Sequence, residues 1–214
     1  MTEPLGVTIE EARALYNGAE SGHDFDHVLR VLALAERIGR AEGANLDTLR
    51  AAALLHDIAR ADEDEARGDD HALMAAERAR AILLGRGASA EDVDAVTHAI
   101  AAHRFRTNAP PETLEAKILF DADKLDSIGA IGVARAYAIS GVLNQRLWGP
   151  VLGEATATRN QRNSEHTAVA EFAVKLSKVR DRIHTAAARQ IAAERHAYMV
   201  EFFARLEREV KGEL

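Results

Sequence analysis

The sequence predicts an all-α fold. Alanine and leucine dominate a hydrophobic fraction of 47%, and both residues favour helix over strand. Only 4 prolines occur in 214 residues, which suits long helices. No segment alternates apolar and polar residues with the period of two that a half-buried strand shows. We therefore expect a helical bundle with a helical extension at its C-terminal end.

Caps and the spacing of apolar residues predict the first four helices. Thr8 and Glu11 match a capping box, which opens a short first helix. Apolar residues at every third or fourth position mark the next three helices, and Gly43 follows the end of one of them. These three are expected at about 24–41, 46–59 and 71–84, with breaks at about 17–22 and in the acidic stretch 61–70.

Five further helices are predicted in the rest of the chain. Ser89 starts one of them, and the pair Pro110-Pro111 starts the next, because proline is tolerated in the first turn of a helix. Turn residues around Trp148 and a polar run indicate a loop at about 140–163. The five helices are expected at about 89–103, 110–125, 128–138, 164–178 and 182–211.

Composition excludes several classes of protein. The formal net charge of -7 disfavours binding to nucleic acid and to anionic membranes, and aromatic residues make up only 5%. The absence of cysteine excludes disulfides, thiolate metal sites and a cysteine nucleophile. No window approaches the roughly 20 apolar residues of a membrane span, and the N-terminus lacks a signal-peptide pattern. We expect a soluble, cytoplasmic protein.

Histidine and aspartate recur at three separated places. His27 lies near the start of the second predicted helix, and His56-Asp57 follows the strongly apolar third helix. Asp121, Asp123 and Asp126 lie in a later segment that is otherwise rich in Ile, Leu and Phe. Burying bare carboxylates there is costly unless a cation or basic side chains offset the cost. Four other histidines are interpreted as surface or hydrogen-bonded residues: His71, His166, His184 and His196.

These places resemble the motifs of the HD-domain phosphohydrolase superfamily. The matching strings are GHDFDHVLRV from Gly22, LLHDI from Leu54 and DADKLDSIGA from Asp121. The continuation 131–135 and the segment 98–105 are similar to a small stand-alone bacterial branch, the YpgQ/YedJ-like proteins. The resemblance covers nearly the whole chain. It implies a single HD-type domain over 1–214, with a metal-binding core at about 20–135 and a C-terminal helical part at about 136–214.

The same resemblance implies a divalent metal ion held by four residues. The implied ligands are His27, His56, Asp57 and Asp123. Asp123 is chosen because the family ligand precedes a basic residue and leucine, as in Ala122-Asp-Lys-Leu125, and Asp121 is the alternative. Imidazole and carboxylate ligands suit Mn²⁺, Fe²⁺, Co²⁺, Ni²⁺ or Zn²⁺, with Mg²⁺ also open. We expect Mn²⁺.

Further roles are predicted around this centre. Asp57 or Asp126 is expected to take a proton from the attacking water. His98 and His103 are expected to contact phosphate, to act as general acid, or to bind a second metal. Phosphate clamping, or alternatively salt bridges to acidic residues, is expected of five basic residues: Lys124, Arg104, Lys175, Arg189 and Arg195. His23 and Asp24 are expected to support the ligands without binding the metal.

The function implied is hydrolysis of a phosphorylated nucleotide. The stand-alone branch favours a nucleoside triphosphate as the substrate, with a monophosphate and pyrophosphate as products. No Walker-type glycine loop is present, so the metal and side chains must bind the phosphates. Phosphomonoesterase and cyclic-nucleotide phosphodiesterase are the main alternatives. A di-iron oxygenase and a non-catalytic nucleotide-binding regulator are the others, and a homodimer is possible.

Overall fold

The computed structural model describes residues 4–16, 25–62, 70–104, 110–149 and 166–214. All regular structure within these ranges is helical, which confirms the predicted all-α class. The α-helices are α1 (Ile9–Leu15), α2 (Phe25–Glu42), α3 (Leu46–Leu55), α4 (His71–Gly85), α5 (Ala90–Ala101), α6 (Leu114–Leu125), α7 (Gly129–Val142), α8 (Ala168–Val174) and α9 (Ala186–Val210). Short 3₁₀ helices cover Pro4–Gly6, Arg60–Asp62 and Leu176–Arg182.

The chain divides into two compact units. The first comprises Met1–Asp123 and His184–Ala188, and the second comprises Lys124–Ile183 and Arg189–Leu214. The single-domain boundaries given above stay a prediction. Among the described residues, no helix is both long enough and apolar enough to cross a lipid bilayer.

Helix α3 is the central helix of the first unit. Residues on all of its faces are buried, including Leu49, Leu54 and Leu55, and it packs against α2 and α5. Each fully buried leucine contributes about 1.5–3 kcal/mol to stability. The close approach to α2 depends on Gly39, where a Cβ atom would lie 2.5 Å from Leu49 Cδ1. The sequence that leads into the His-Asp motif is therefore held rigidly in the core.

Capping side chains decide where several helices begin. Thr8 and Glu11 form the predicted capping box on α1. Helix α6 begins at Leu114 and not at Pro110, since Thr113 Oγ1 accepts a hydrogen bond from Ala116 N. Helix α8 begins at Ala168, where Thr167 caps it by accepting a hydrogen bond from Ala170 N, and the predicted start at 164 lies outside the described residues. Both cap positions fit the preference of threonine for helix N-termini.

The second unit is held together by an aromatic cluster and by a close turn between helices. Phe172 stacks on Phe203 with ring centroids 4.5 Å apart. Gly129 has a φ of +78° and faces Arg195, whose side chain would contact a Cβ there at 2.9 Å. Arg195 in turn donates a hydrogen bond to the carbonyl oxygen of Leu125. Glycine at position 129 thus permits the turn from α6 into α7.

Candidate metal centre

Three helices of the first unit bring two imidazoles and two carboxylates together. His27 is buried on α2, His56 and Asp57 follow α3, and Asp123 lies near the end of α6. The Nε2 atoms of His27 and His56 are 3.4 Å apart, and Asp123 Oδ1 lies 3.3 Å from His27 Nε2. Asp57 Oδ2 lies 3.9 Å from His27 Nε2 and 3.7 Å from His56 Nε2. These are the four residues that the sequence resemblance implies as ligands.

Two more histidines approach the other oxygen of Asp57. His71 begins α4, and its Nε2 lies 3.1 Å from Asp57 Oδ1. His103 follows α5, and its Nε2 lies 3.5 Å from the same oxygen. Both imidazoles are buried. Asp57 is therefore shared between two groups of side chains that have the composition of metal sites, His27–His56–Asp57 and Asp57–His71–His103.

Backbone hydrogen bonds fix which ring nitrogen of His56 and His103 faces Asp57. Nδ1 of His56 donates to the carbonyl oxygen of Ala53 at 2.8 Å, and Nδ1 of His103 donates to that of Ile100 at 2.6 Å. In a neutral ring whose hydrogen is on Nδ1, the Nε2 atom carries a lone pair. In both His56 and His103, this Nε2 atom is the one that lies near Asp57. Lone pairs and carboxylate oxygens at these distances repel unless a proton or a cation lies among them. The donor set therefore fits a divalent metal ion.

The turn that carries His56 and Asp57 is shaped by side chains and not by helix propensity. The Tyr16 hydroxyl donates to the Leu54 carbonyl at 3.1 Å and accepts from Asp57 N at 3.2 Å. The Ala53 carbonyl is occupied by the His56 ring. These contacts replace the backbone hydrogen bonds that would continue α3, so the helix ends at Leu55 and not at the predicted 59.

Burial and neighbouring charges set the protonation of the centre. Burial lowers the pKa of His56 to about 4, so its ring is neutral at pH 7. Burial alone would raise the pKa of Asp57, but the imidazoles of His56, His103 and His71 hold it well below 3.8. Burial, and then the charge of Asp57, raise the pKa of Tyr16 well above 10. A neutral imidazole and an ionised carboxylate are the forms that bind metal.

Asp121, the alternative ligand, has a different set of partners. Its Oδ1 accepts from His184 N at 2.8 Å, and its Oδ2 accepts from Thr185 N at 2.8 Å and Thr185 Oγ1 at 2.7 Å. The carboxylate is fully buried, and burial raises its pKa despite these donors. Asp121 therefore holds the segment that leads into α9, and this supports Asp123 as the proposed ligand.

The side chains gathered around Asp57 form one cluster, which consists of His27, His56, Asp57, His71, His103 and Asp123. The other predicted site residues lie outside this cluster or have partners of their own. His98 is half-buried, and its Nε2 accepts from Glu112 N at 3.2 Å, so the structure does not bring it to Asp57. Arg104 pairs with Asp70 at 3.1 Å, next to His71. Asp126 belongs to the second unit, where Arg135 lies 3.2 Å from its carboxylate. The predicted residues His23 and Asp24 lie outside the described residues.

Four of the five predicted phosphate-binding residues belong to the second unit. Lys175 pairs with Glu171 at 2.8 Å and is largely exposed. Arg189 donates to the Ile183 carbonyl at 3.0 Å, and Arg195 donates to that of Leu125. Lys124 is half-buried. Their role in binding substrate stays a prediction.

Sequence reasoning missed two residues of the site. From the sequence, His71 is predicted to be a surface or hydrogen-bonded residue and is not placed at the site, whereas the structure buries it with its Nε2 3.1 Å from Asp57 Oδ1. A signal was present, since His71 lies in register with the buried stripe Ala72, Ala75, Ala76, Ala79 and Leu83 of α4. Tyr16 carries no such signal, because its contacts are made 38 and 41 residues away in the sequence.

Comparison with known proteins agrees with this site. The HD domain family model matches residues 24–128, which contain all six histidine and aspartate residues of the cluster. The YpgQ protein of Bacillus subtilis is 33% identical over 204 residues, which cover 94% of this chain and 90% of YpgQ. The chain belongs to the HD-domain family. Within that family it is a member of the YpgQ-like branch.

Solved structures of HD-domain proteins are similar over nearly the whole length. Bacillus subtilis YpgQ in complex with ADP aligns with a TM-score of 0.72 and 30% identity, covering 94% of this chain and 92% of that one. An HD-superfamily hydrolase from Bacillus thuringiensis aligns with a TM-score of 0.74 and 30% identity, covering 95% and 94%. Together with the His-Asp cluster, these similarities identify the protein as a metal-dependent hydrolase of the HD superfamily.

Proposed function

We propose that the protein hydrolyses nucleoside triphosphates to nucleoside monophosphates and pyrophosphate. The observation that supports this most is the pair of histidine–aspartate groups in the first unit, which share Asp57 and have the composition of metal sites. The relative YpgQ has a solved structure in complex with ADP. In the reaction, a water oxygen forms a bond to the α-phosphorus. The bond from that phosphorus to the α–β bridging oxygen breaks, and pyrophosphate leaves with the electron pair.

We assign His27, His56, Asp57 and Asp123 as the residues that hold the divalent ion. A bound ion of this kind, which we expect to be Mn²⁺, lowers the pKa of water and polarises a phosphoryl group. His56 contributes a ring that its backbone hydrogen bond keeps in one tautomer. His71 contacts Asp57 Oδ1 and so orients the carboxylate that both groups share.

The protons of the reaction are assigned to groups close to this set. Asp57 is ionised at neutral pH and able to accept the proton that the water loses. Its position in the cluster favours it over Asp126, whose carboxylate is paired with Arg135. His103 remains our candidate for contacting phosphate or donating a proton to the leaving group, and its position favours it over His98.

Product analysis tests the proposal. Purified protein, Mn²⁺ and each of the common nucleoside triphosphates are incubated, and the products are separated by ion-exchange chromatography. We expect monophosphate and pyrophosphate in equal amounts, with the rate of His56→Gln and Asp57→Asn lowered roughly 100-fold or more. Arg80→Met is the matched control, since Arg80 pairs with Asp94 and Thr97 away from the cluster.

Two results would contradict the proposal. Turnover by the wild-type protein no higher than by His56→Gln would reject catalysis at this centre. Orthophosphate as the first product would indicate a phosphomonoesterase. Assembly into a homodimer, a cytoplasmic location and the absence of nucleic-acid binding remain predictions from the sequence.

A further inference from the structure

The hydroxyl of Tyr16 joins two backbone groups at the point where α3 ends. In a continued helix, Asp57 N would donate to the carbonyl oxygen of Ala53, which instead accepts from the His56 ring. Asp57 N donates to the Tyr16 hydroxyl at 3.2 Å, and that hydroxyl donates to the Leu54 carbonyl at 3.1 Å. A single hydroxyl group therefore links the backbone on the two sides of His56.

The ring of Tyr16 contacts the segment that carries another of the assigned ligands. Its centroid lies 5.5 Å from that of Phe25, and the two rings meet edge to face at 63°. Phe25 is buried, and the guanidinium carbon of Arg13 lies 4.3 Å from the centroid of its ring. Phe25 begins α2 and precedes His27 by two residues. Tyr16 therefore contacts both segments from which His27 and Asp57 extend, one through its ring and the other through its hydroxyl.

Metal binding requires that the donor atoms of these two segments lie at a defined separation. Ligand atoms bound to one ion at about 2.0–2.2 Å lie roughly 3–3.5 Å from one another. Asp57 Oδ2 lies 3.7 Å from His56 Nε2 and 3.9 Å from His27 Nε2. The carboxylate is thus close to the position that binding requires. A turn that relaxed into regular helix would change the direction of the Asp57 side chain and move the carboxylate away from that position.

We propose that Tyr16 is a positioning residue of the metal centre and sets the placement of Asp57 relative to His27. It acts through the backbone of Asp57 and through Phe25, and not by binding the metal. Outer partners that orient a metal ligand typically change metal affinity or activity by about 10- to 100-fold when they are removed. The proposal rests on the assignment of His27 and Asp57 as ligands under the function proposed above.

Removal of a single oxygen atom tests the proposal. Tyr16→Phe loses the hydroxyl and keeps the ring on Phe25. Tyr137→Phe is the matched control, because the Tyr137 hydroxyl is buried without a hydrogen-bond partner among the described residues. Both variants and the wild type are freed of metal by chelation and titrated with Mn²⁺ by calorimetry, without nucleotide. We expect Tyr16→Phe to bind Mn²⁺ about 10- to 100-fold more weakly, and Tyr137→Phe to bind it as the wild type does. Equal affinity of Tyr16→Phe and the wild type would overturn the proposal.

The visible absorption spectrum of bound Co²⁺ separates positioning from a general loss of stability. This spectrum depends on the number and arrangement of the ligands around the ion. At saturating Co²⁺ we expect the spectrum of Tyr16→Phe to differ from that of the wild type, and the spectrum of Tyr137→Phe to match it. A role confined to stability would lower the folded fraction of Tyr16→Phe and leave the spectrum of the bound ion unchanged, which would also overturn the proposal.

A measurement on the wild-type protein covers the case in which Tyr16→Phe does not fold. The Asp57 amide hydrogen, which donates to the Tyr16 hydroxyl, should exchange with solvent at least about 100-fold more slowly than in an unstructured peptide, as followed by nuclear magnetic resonance. Exchange at the unstructured rate would overturn the proposal.

The proposed function is tested separately by turnover. A wild-type protein that binds Mn²⁺ and hydrolyses no nucleotide would reject that function, while weaker Mn²⁺ binding by Tyr16→Phe would still support the positioning role. Mn²⁺ affinity that is equal in the wild type and His56→Gln would reject the ligand assignment and, with it, the role of Tyr16.

Discussion

Asp121 and Asp123 are two residues apart on α6, yet their carboxylates have different partners. Asp121 accepts three hydrogen bonds from His184 and Thr185, while Asp123 lies 3.3 Å from His27 Nε2. The motif string favours Asp123, which precedes a basic residue and leucine, and keeps Asp121 as the alternative. The partners that occupy Asp121 belong to a segment more than 60 residues later in the chain, which no local pattern encodes.

Exchanging each carboxylate for its amide separates the two roles. Asp121→Asn places an NH₂ group where donors converge, so we expect the free energy of unfolding of the metal-free protein to fall by about 1–3 kcal/mol. Its Mn²⁺ affinity should be unchanged. Asp123→Asn should keep the metal-free stability and lose Mn²⁺ affinity. Urea unfolding and calorimetric titration measure the two quantities, and the reverse pattern would make Asp121 the ligand.

The existence of the helices follows from the sequence more reliably than their ends. Composition and apolar spacing predicted α2, α4 and α5 to within two residues, because their apolar faces and caps are local. The end of α3 was wrong by four residues, since Tyr16 and the His56 ring take over the backbone groups there. The displaced backbone groups belong to the turn that carries Asp57, so helix prediction failed at the site itself.

Packing between α2 and α3 depends on a single missing side chain. A Cβ on Gly39 would lie 2.5 Å from Leu49 Cδ1 and 2.9 Å from Leu46 Cδ2, and Leu49 is fully buried. We expect Gly39→Ala to lower the free energy of unfolding by about 1–3 kcal/mol, because overpacking exceeds the gain in helix propensity. Gly85→Ala is the control, since a Cβ there meets nothing within 4 Å. Urea denaturation of both variants measures the free energy of unfolding. Equal stability of Gly39→Ala and Gly85→Ala would contradict the prediction, because it would show that α3 shifts to accept the added Cβ at little cost.

At the scale of the whole molecule, the family and the type of chemistry could be predicted from the sequence. The full set of side chains that surround Asp57 could not. Three motifs in order were enough to place the chain among HD-domain proteins, and the family match and the YpgQ similarity confirm it. The proximity of His71 to Asp57 was not foreseen, because it is defined by a contact between separate parts of the chain. The ligand roles themselves stay predictions until a metal is bound.

Stability of the metal-free chain should depend on pH through His56. Its pKa is about 4 in the folded protein and ordinarily 6.5, so between these values the unfolded chain binds more protons. The contribution of His56 to the free energy of unfolding is fully present above pH 6.5. As the pH falls to 4 this contribution is lost, and the free energy of unfolding decreases by about 3 kcal/mol in total. Asp57 acts in the same direction, but only below pH 3.8.

Urea unfolding in a chelating buffer at pH 6.5 to 4.5 measures this dependence. His56→Asn should show a shallower fall in unfolding free energy than the wild type. His98→Asn, whose ring bonds to Glu112 N, should keep the wild-type slope. Parallel slopes for His56→Asn and the wild type would mean that His56 is readily protonated in the folded state.

The hydroxyl of Tyr16 spans the end of α3 and the start of the loop that carries Asp57, although the matched family region begins only at residue 24. A chain trimmed to that boundary would retain every histidine and aspartate of the cluster. It would nevertheless lack Tyr16, whose hydrogen bonds shape the backbone between Leu54 and Asp57. The N-terminal segment therefore supports the candidate metal centre. A shortened protein that is designed from the limits of the family match should retain it.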